Sequence, residues 1–307
     1  MTDTGAHGTG ELTPSSRFTL DYLGVPPGLA PYVTTFYHFR CDEPVFRDIQ
    51  PAAVGHLTLF PHGNGTMTLP YGGGDPTSEV NLLTPFACAA PFHVDGPFHA
   101  IGAALSPLGW AALTGLCART HGNRLYHAEK WLPPIIAARG RALCHAYRRG
   151  TMTAAECADE LGQLILDHVR PLKPGHAAVI EATNRWLAAD FNPAIEALYA
   201  ASPLSPRQTQ RLVERYFGLP PATLRRKYRA LRAATLLSLP DLTPEYDAQI
   251  GAAFYDQPHM IREIKLFAGR TPARLSDTDA PFLSEMLTAR NLRELPLSEA
   301  ANDSQPS

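Results

Sequence analysis

The sequence has no run of about 18 apolar residues, the length that a membrane-crossing helix needs, and its first twenty residues hold no apolar segment of the kind found in a secretory signal. These absences give the expectation of a cytoplasmic protein without a membrane partner. Cysteine is scarce. Cys41, Cys88, Cys117, Cys144 and Cys157 are odd in number, widely spread and never in Cys-x-x-Cys spacing, which argues against a disulfide framework and a zinc knuckle and leaves them as reduced core thiols. Catalytic signatures are missing too: no Gly-x-Ser-x-Gly, no phosphate-binding glycine loop, no carboxylate pair at a readable spacing. Gly72-Gly73-Gly74 leads into Asp75-Pro76, not a helix, and reads as a turn. The chain is therefore not expected to be an enzyme or to hold a cofactor.

Net charge is also lacking, since 27 Lys and Arg stand against 29 Asp and Glu, and the bulk balance gives no reason to expect a polyanionic partner. The distribution is another matter. Residues 1–179 hold 12 basic and 14 acidic side chains, residues 180–276 hold 13 and 9, and residues 277–307 hold 2 and 6. Within the middle segment, Arg207, Arg211, Arg215, Arg225, Arg226, Lys227, Arg229 and Arg232 face the single acid Glu214, a charge of +7 over 28 residues.

A chain of 307 residues exceeds the usual single-domain size and is expected to form two domains, each with its own core. Residues 1–16 are small and polar and are expected to be a disordered arm. From Tyr32 to Leu108 short apolar or alternating runs (33–39, 55–60, 66–71, 79–83 and 99–105) are separated by three turn clusters, Pro61-His62-Gly63-Asn64-Gly65, Gly72 to Pro76, and Asp95-Gly96-Pro97. That rhythm predicts a small β-sandwich or barrel. Helical patterns follow at 110–119, at 131–148 behind or broken by Pro133-Pro134, and at 153–169, where Thr153 and Glu156 have capping-box spacing and Leu161, Leu164, Ile165 and His168 form one stripe. Pro171 to Gly175 stops the last helix, which sets an N-terminal sensor or regulatory domain at 17–174, a helical domain at 175–276 and a mostly disordered tail at 277–307.

In the helical domain, Ile195, Leu198 and Tyr199 form an apolar face, Ala200 to Pro203 turn the chain, and Ser205 caps a helix that has Pro206 at its first position. Leu212, Val213, Tyr216 and Phe217 point one way in that helix, while Arg207, Gln208, Gln210, Arg211, Glu214 and Arg215 cover the other face. Arg and Gln have forked groups that match the major-groove edges of guanine and adenine. Residues 220–238 form a densely basic connecting helix suited to run beside phosphates. Residues 242–275 repeat the plan, with a helix ending near Ala252 and a second from Asp256 as N-cap to Phe267, closed by Gly269.

This order of elements resembles the AraC/XylS family of transcriptional regulators. The specific part is Phe254-Tyr-Asp-Gln-Pro-His-Met-Ile-Arg-Glu-Ile-Lys-Leu-Phe-Ala-Gly-Arg-Thr-Pro272, similar to the family's second-unit signature. The likeness covers about a third of the chain. It implies an α+β two-domain protein with a β-rich N-terminal domain and an all-α C-terminal domain of two helix-turn-helix units joined by a linker helix, which enter successive major grooves of double-stranded DNA. Its base-reading positions fall on Arg207, Gln210 and Arg211, then on Gln257, His259 and Arg262. Gln208, Arg215 and Lys265 share those faces, and Arg225, Arg226 and Lys227 are expected near phosphates. RNA polymerase and a second copy of the chain are further partners within this reading. The chain departs from the family at Ala253, usually glycine; at Pro258, usually small and polar; at Ile264, usually Phe; and at Thr209 and Val213, where Leu and Phe are usual.

The N-terminal half resembles β-rich, cupin-like sensor domains far more loosely. Its histidines His38, His56, His62, His93 and His99 lack the His-x-His spacing of a cupin metal site and read as scattered core or turn residues, so no metal is expected. Strand-borne aromatics, Phe36, Tyr37, Phe60, Tyr71, Phe92 and Phe98, are candidates to enclose a small apolar or planar effector, with plain core as the other reading. Two alternatives to a regulator stand: a DNA-modifying or repair enzyme fused to the same module, and an adaptor using the helices for protein contact.

Overall fold

The computed structural model describes residues 13, 17–239 and 241–275. The expectations for an arm and a tail, apart from Thr13, lie outside the described residues. The N-terminal part contains β1 (Phe18–Leu23), β2 (Val33–Cys41), β3 (Val45–Gln50), β4 (Gly55–Thr68), β5 (Gly74–Pro76), β6 (Val80–Leu83), β7 (Ala90–Leu105), α1 (Pro107–Thr114), α2 (Ala118–His121), β8 (Leu125–His127), α3 (Pro134–Arg148) and α4 (Ala154–His168). Eight antiparallel strands form one sheet in the order β1-β2-β7-β4-β6-β8, with β3 paired to β7 and β5 to β4.

Two of the three expected turn clusters lie inside strands. Strand β4 runs on through Pro61 to Gly65, and its register against β7 slips between Leu59 and His62 and again between His62 and Asn64. These irregularities absorb the turn-forming residues. Gly63 has φ +80°, and a Cβ there would stand 2.8 Å from the Pro97 carbonyl oxygen, so only glycine fits the close approach. Strand β7 likewise continues through Asp95-Gly96-Pro97. Its first half pairs with β3 and its second half with β2, and Gly96-Pro97 marks the change of partner. The Gly72-Gly73 turn forms as expected, with both residues at positive φ.

The helices hold one correction. The expected helix over 110–119 is two pieces, because Gly115 adopts a left-handed conformation, φ +68°, that ends α1 before α2 begins. Pro134 opens α3 directly behind Pro133, and Thr153 and Glu156 form the capping box of α4. Leu161, Leu164 and Ile165 of α4 pack with Phe36, Leu57, Ile101 and Trp110 in a core between sheet and helices, so the stripe serves its own domain. All five cysteines are free. Burial pushes the Cys144 thiol up to about 12 and the Cys157 thiol up to about 11, which keeps both protonated and inert.

The C-terminal part is helical: α5 (Pro174–Ala189), α6 (Ile195–Ala201), α7 (Pro206–Phe217), α8 (Pro221–Leu237), α9 (Pro244–Ala253) and α10 (Gln257–Ala268). One apolar cluster joins Trp186, Leu198, Leu212, Val213 and Phe217, and another joins Leu231, Ile250, Phe254, Ile264 and Phe267. Ala52 of the N-terminal part belongs to the second cluster. No helix among the described residues is long and apolar enough to cross a membrane.

Candidate nucleic-acid interface

Helices α6 and α7 are joined by the turn 202–205. Ser205 sits in extended conformation and donates from its backbone and its hydroxyl to Gln208 Oε1, at 3.3 and 2.9 Å. Gln208 is thereby partly engaged in capping. Inside the turn the fully buried Thr209 hydroxyl lies 2.6 Å from Ser202 Oγ. A threonine thus replaces an apolar contact with a hydrogen bond that ties α7 to the turn, at a position where the resemblance led to the expectation of Leu. The outward face of α7 exposes Arg207, Gln210, Arg211 and Arg215. Gln210 donates to Glu214 Oε1 at 3.0 Å, and Arg119 of α2 donates to Glu214 Oε2 at 2.7 Å. Those two bonds, Gln210 first, hold the Glu214 carboxyl below the usual range.

In the second unit Asp256 caps α10 through the His259 amide at 2.6 Å, and Gly269 closes it at φ +83°. Pro258 lies in the first turn, where a helix makes no use of the missing N–H. Ala253 holds its place without a positive φ, so the glycine usual in the family is not required. Gln257, Arg262 and Lys265 are exposed. His259 is half-buried and its Nε2 lies 3.1 Å from Glu263 Oε1.

Glu263 is the residue that sequence reasoning missed in this unit. It is 1% exposed and receives Arg226 Nε at 2.5 Å and Arg229 Nη2 at 2.5 Å. Burial pushes its carboxyl up, but the bonds from Arg226 and Arg229 outweigh that and leave it below its ordinary value. The signal was available: an acid stands beside Ile264 within the buried stripe of α10.

On the basic linker helix the expectation of phosphate contact is corrected at Lys227, which is buried, while Arg226 is exposed. Helix α8 is packed on nearly every face, and Lys227, Arg229 and Arg232 are buried. Arg232 donates to the carbonyls of Leu187, Asp190 and Phe191 at the end of α5, where a helix leaves acceptors unmatched. Burial lowers its guanidinium to about 10. Lys227 donates to Phe86 O at 3.0 Å and to Ala53 O at 3.4 Å, both in the N-terminal part. Long cationic stems on an enclosed helix reach the nearest carbonyls. Arg225 is half-buried and bonds Pro193 O at 3.3 Å, and Arg226 is exposed but tied to Glu263.

The N-terminal part also grips α10. Ala52 N donates to Phe267 O at 2.8 Å and Ala89 N to Leu266 O at 2.9 Å. Arg270, just after Gly269, forms a buried ion pair with Asp48 of β3. Burial raises the Asp48 carboxyl, Arg270 opposes that, and burial prevails.

Of the aromatics expected to enclose an effector, Tyr37, Phe60, Phe92 and Phe98 line one cavity beneath β3. Phe36 belongs instead to the separate core shared with α4, and Tyr71 is 90% exposed on the glycine turn. The pattern of aromatics could not distinguish the two sides of the curved sheet. Phe39, Phe46 and Gln50 line the cavity as well. The histidines are not all scattered: His38 Nε2 and His99 Nδ1 each lie 2.9 Å from Tyr147 OH, and the His62 and His99 rings lie 4.7 Å apart. No group of three or more residues with metal-ligating geometry occurs among the described residues.

Two helix-turn-helix units carried behind a β-rich domain define a DNA-binding transcriptional regulator. Residues 198–277 match a family model described as a helix-turn-helix domain. A comparison with curated proteins finds no match. Among solved structures, ToxT from Vibrio cholerae O395 aligns with 86% of this chain and 99% of its own at 9% identity and TM-score 0.44. ToxT bound to (E)-4-(8-methylnaphthalen-1-yl)but-3-enoic acid aligns with 85% of this chain and 99% of its own at 9% identity and TM-score 0.45. The AraC-like transcriptional activator CuxR aligns with 71% of this chain and 86% of its own at 11% identity and TM-score 0.32. Likeness at this level carries nothing over about ligand or partner.

Proposed function

We propose that the chain reads a specific DNA sequence with α7 and α10, and that a small molecule held by the N-terminal domain controls the reading. Arg207, Gln210 and Arg211 would meet base edges in one major groove and Gln257, His259 and Arg262 in the next. Arg215, Lys265 and Arg226 would lie toward phosphates. The observation that supports control is strand β3. Phe46 and Gln50 line the cavity, Asp48 between them binds Arg270, and Ile49 packs against the glycine that ends α10. One strand thus touches both the effector space and the end of the second reader, so a ligand that moves β3 biases α10.

The test is a titration of the purified chain against its own upstream promoter DNA and a random duplex across a salt series. Tighter binding to the promoter, weakening steeply as salt rises through counterion release, is the expected result. Equal affinity for both duplexes would overturn sequence-specific reading. A flat salt response on both would favour the adaptor.

A further inference from the structure

We infer that the cavity beneath β3 takes an uncharged, largely apolar, planar ligand with one hydrogen-bond acceptor, to which the side-chain amide of Gln50 donates. This rests on the effector reading above and names its chemistry. The cavity holds about 80 Å³ and opens to solvent at its mouth, which suits a compact ligand of about one ring. Its walls carry phenyl rings in tilted and edge-on contact: Phe46 and Phe92 have centroids 5.4 Å apart, Phe39 and Phe98 5.6 Å, and Phe60 and Phe98 4.9 Å. Such walls accept a flat apolar body between ring faces and edges.

The polar features are few and uncharged. No Lys, Arg, Asp, Glu or His is among the residues that line the cavity. Tyr37 OH is already engaged, lying 3.1 Å from His56 Nδ1 and 3.2 Å from Thr58 Oγ1. Thr77 Oγ1 accepts from Gly65 N at 2.9 Å. Gln50 differs: it is 6% exposed and its Nε2 has no hydrogen-bond partner. A buried amide donor without a partner is costly unless something completes it. An anionic ligand would find no cation in the wall, and Arg270, close to β3, is engaged by Asp48. A carbonyl or ether oxygen on a flat hydrocarbon frame satisfies every one of these conditions.

The experiment titrates the full chain with three isosteric probes by ligand-observed NMR: isopropylbenzene, acetophenone and benzoate. The ketone should bind tightest and the carboxylate about tenfold or more weaker, since it loses its hydration without gaining a charge partner. Gln50→Leu should weaken the ketone about tenfold and leave isopropylbenzene within about twofold, the size expected for one buried hydrogen bond. Gln50→Met serves as the second variant should the first melt early. The proposal is overturned if the carboxylate binds as well as the ketone, if Gln50→Leu weakens ketone and hydrocarbon alike, or if none of the three binds. Loss of probe binding with promoter binding intact rejects this ligand class alone. Loss of promoter binding with probe binding intact rejects the DNA-reading proposal and leaves the cavity chemistry standing.

Discussion

Asp48 and Arg270 lie 222 positions apart in the chain and form a buried ion pair at the point where β3 meets the end of α10. Each keeps a second polar atom unmatched, Oδ2 on Asp48 and Nε on Arg270. The pair is therefore incompletely satisfied, and burial leaves the Asp48 carboxyl raised above its ordinary value. Its consequence is geometric: the pair fixes the end of α10 to the β-rich part that holds the cavity.

Removing one partner should cost much more than removing both. Arg270→Met leaves Asp48 buried and unpaired and is expected to cost about 3–5 kcal/mol, whereas Asp48→Leu combined with Arg270→Met should cost far less. Amide hydrogen exchange locates the effect. The Ala52 and Ala89 amides, which donate to Phe267 O and Leu266 O, should lose protection in the single variant. Unchanged protection at both amides would mean that the ion pair does not hold α10 in place.

Acidification should weaken the N-terminal domain through His56. Burial lowers this imidazole from 6.5 to about 4, so the folded chain leaves it neutral while the unfolded chain protonates it near 6.5. The unfolded state then binds more protons across that window, and stability falls as pH drops from about 6.5 to about 4. The gap corresponds to about 3 kcal/mol at its full extent, with no contribution above 6.5 and no further loss below 4. Urea unfolding at a series of pH values should show a shallower slope for His56→Gln than for the parent. Equal slopes would show that His56 is not the group responsible.

The helical half was legible because its signals are local. Ser205-Pro206, Asp256 and Gly269 punctuate helices by capping chemistry that acts within one turn, and each sits where the sequence places it. The β half was harder. Pro61-His62-Gly63 carries turn chemistry, yet the structure uses it inside β4 as a bulge, because a long strand that must curve needs the same residues. Strand β3 went unread because Asp48 and Gln50 occupy buried positions, which breaks the apolar alternation. What makes them buriable is distant in sequence: Arg270 for Asp48, and for Gln50 the cavity. The linker helix failed in the opposite sense. Its charge density pointed to phosphate, but Lys227, Arg229 and Arg232 meet carbonyls and a carboxylate that only the tertiary fold brings near.

Thr209 should resist replacement by an isostere without a hydroxyl. Thr209→Val keeps the volume at a site with 0% exposure but leaves Ser202 Oγ without its 2.6 Å partner. A loss of about 1–3 kcal/mol is expected, read as a lowered midpoint in denaturant with the slope unchanged. A neutral effect would show that turn and helix hold together through apolar contacts alone.

DNA titrations of single variants separate the basic residues by role. Arg211→Ala or Arg262→Ala, on the exposed faces of α7 and α10, should weaken promoter binding by about 1–3 kcal/mol and affect random duplex much less, as expected for a side chain that reads a base edge. Arg226→Ala should weaken both duplexes alike and reduce the salt slope by about one, the mark of a lost phosphate contact. Lys227→Met is the discriminating case. Composition groups it with Arg226, but its ammonium is turned into the N-terminal domain toward Phe86 O, so its loss should lower the unfolding midpoint and leave the salt slope unchanged. A salt slope reduced by about one in Lys227→Met would place that ammonium on DNA in the complex, and α8 would then have to rotate away from Ala53 and Phe86 when the duplex binds.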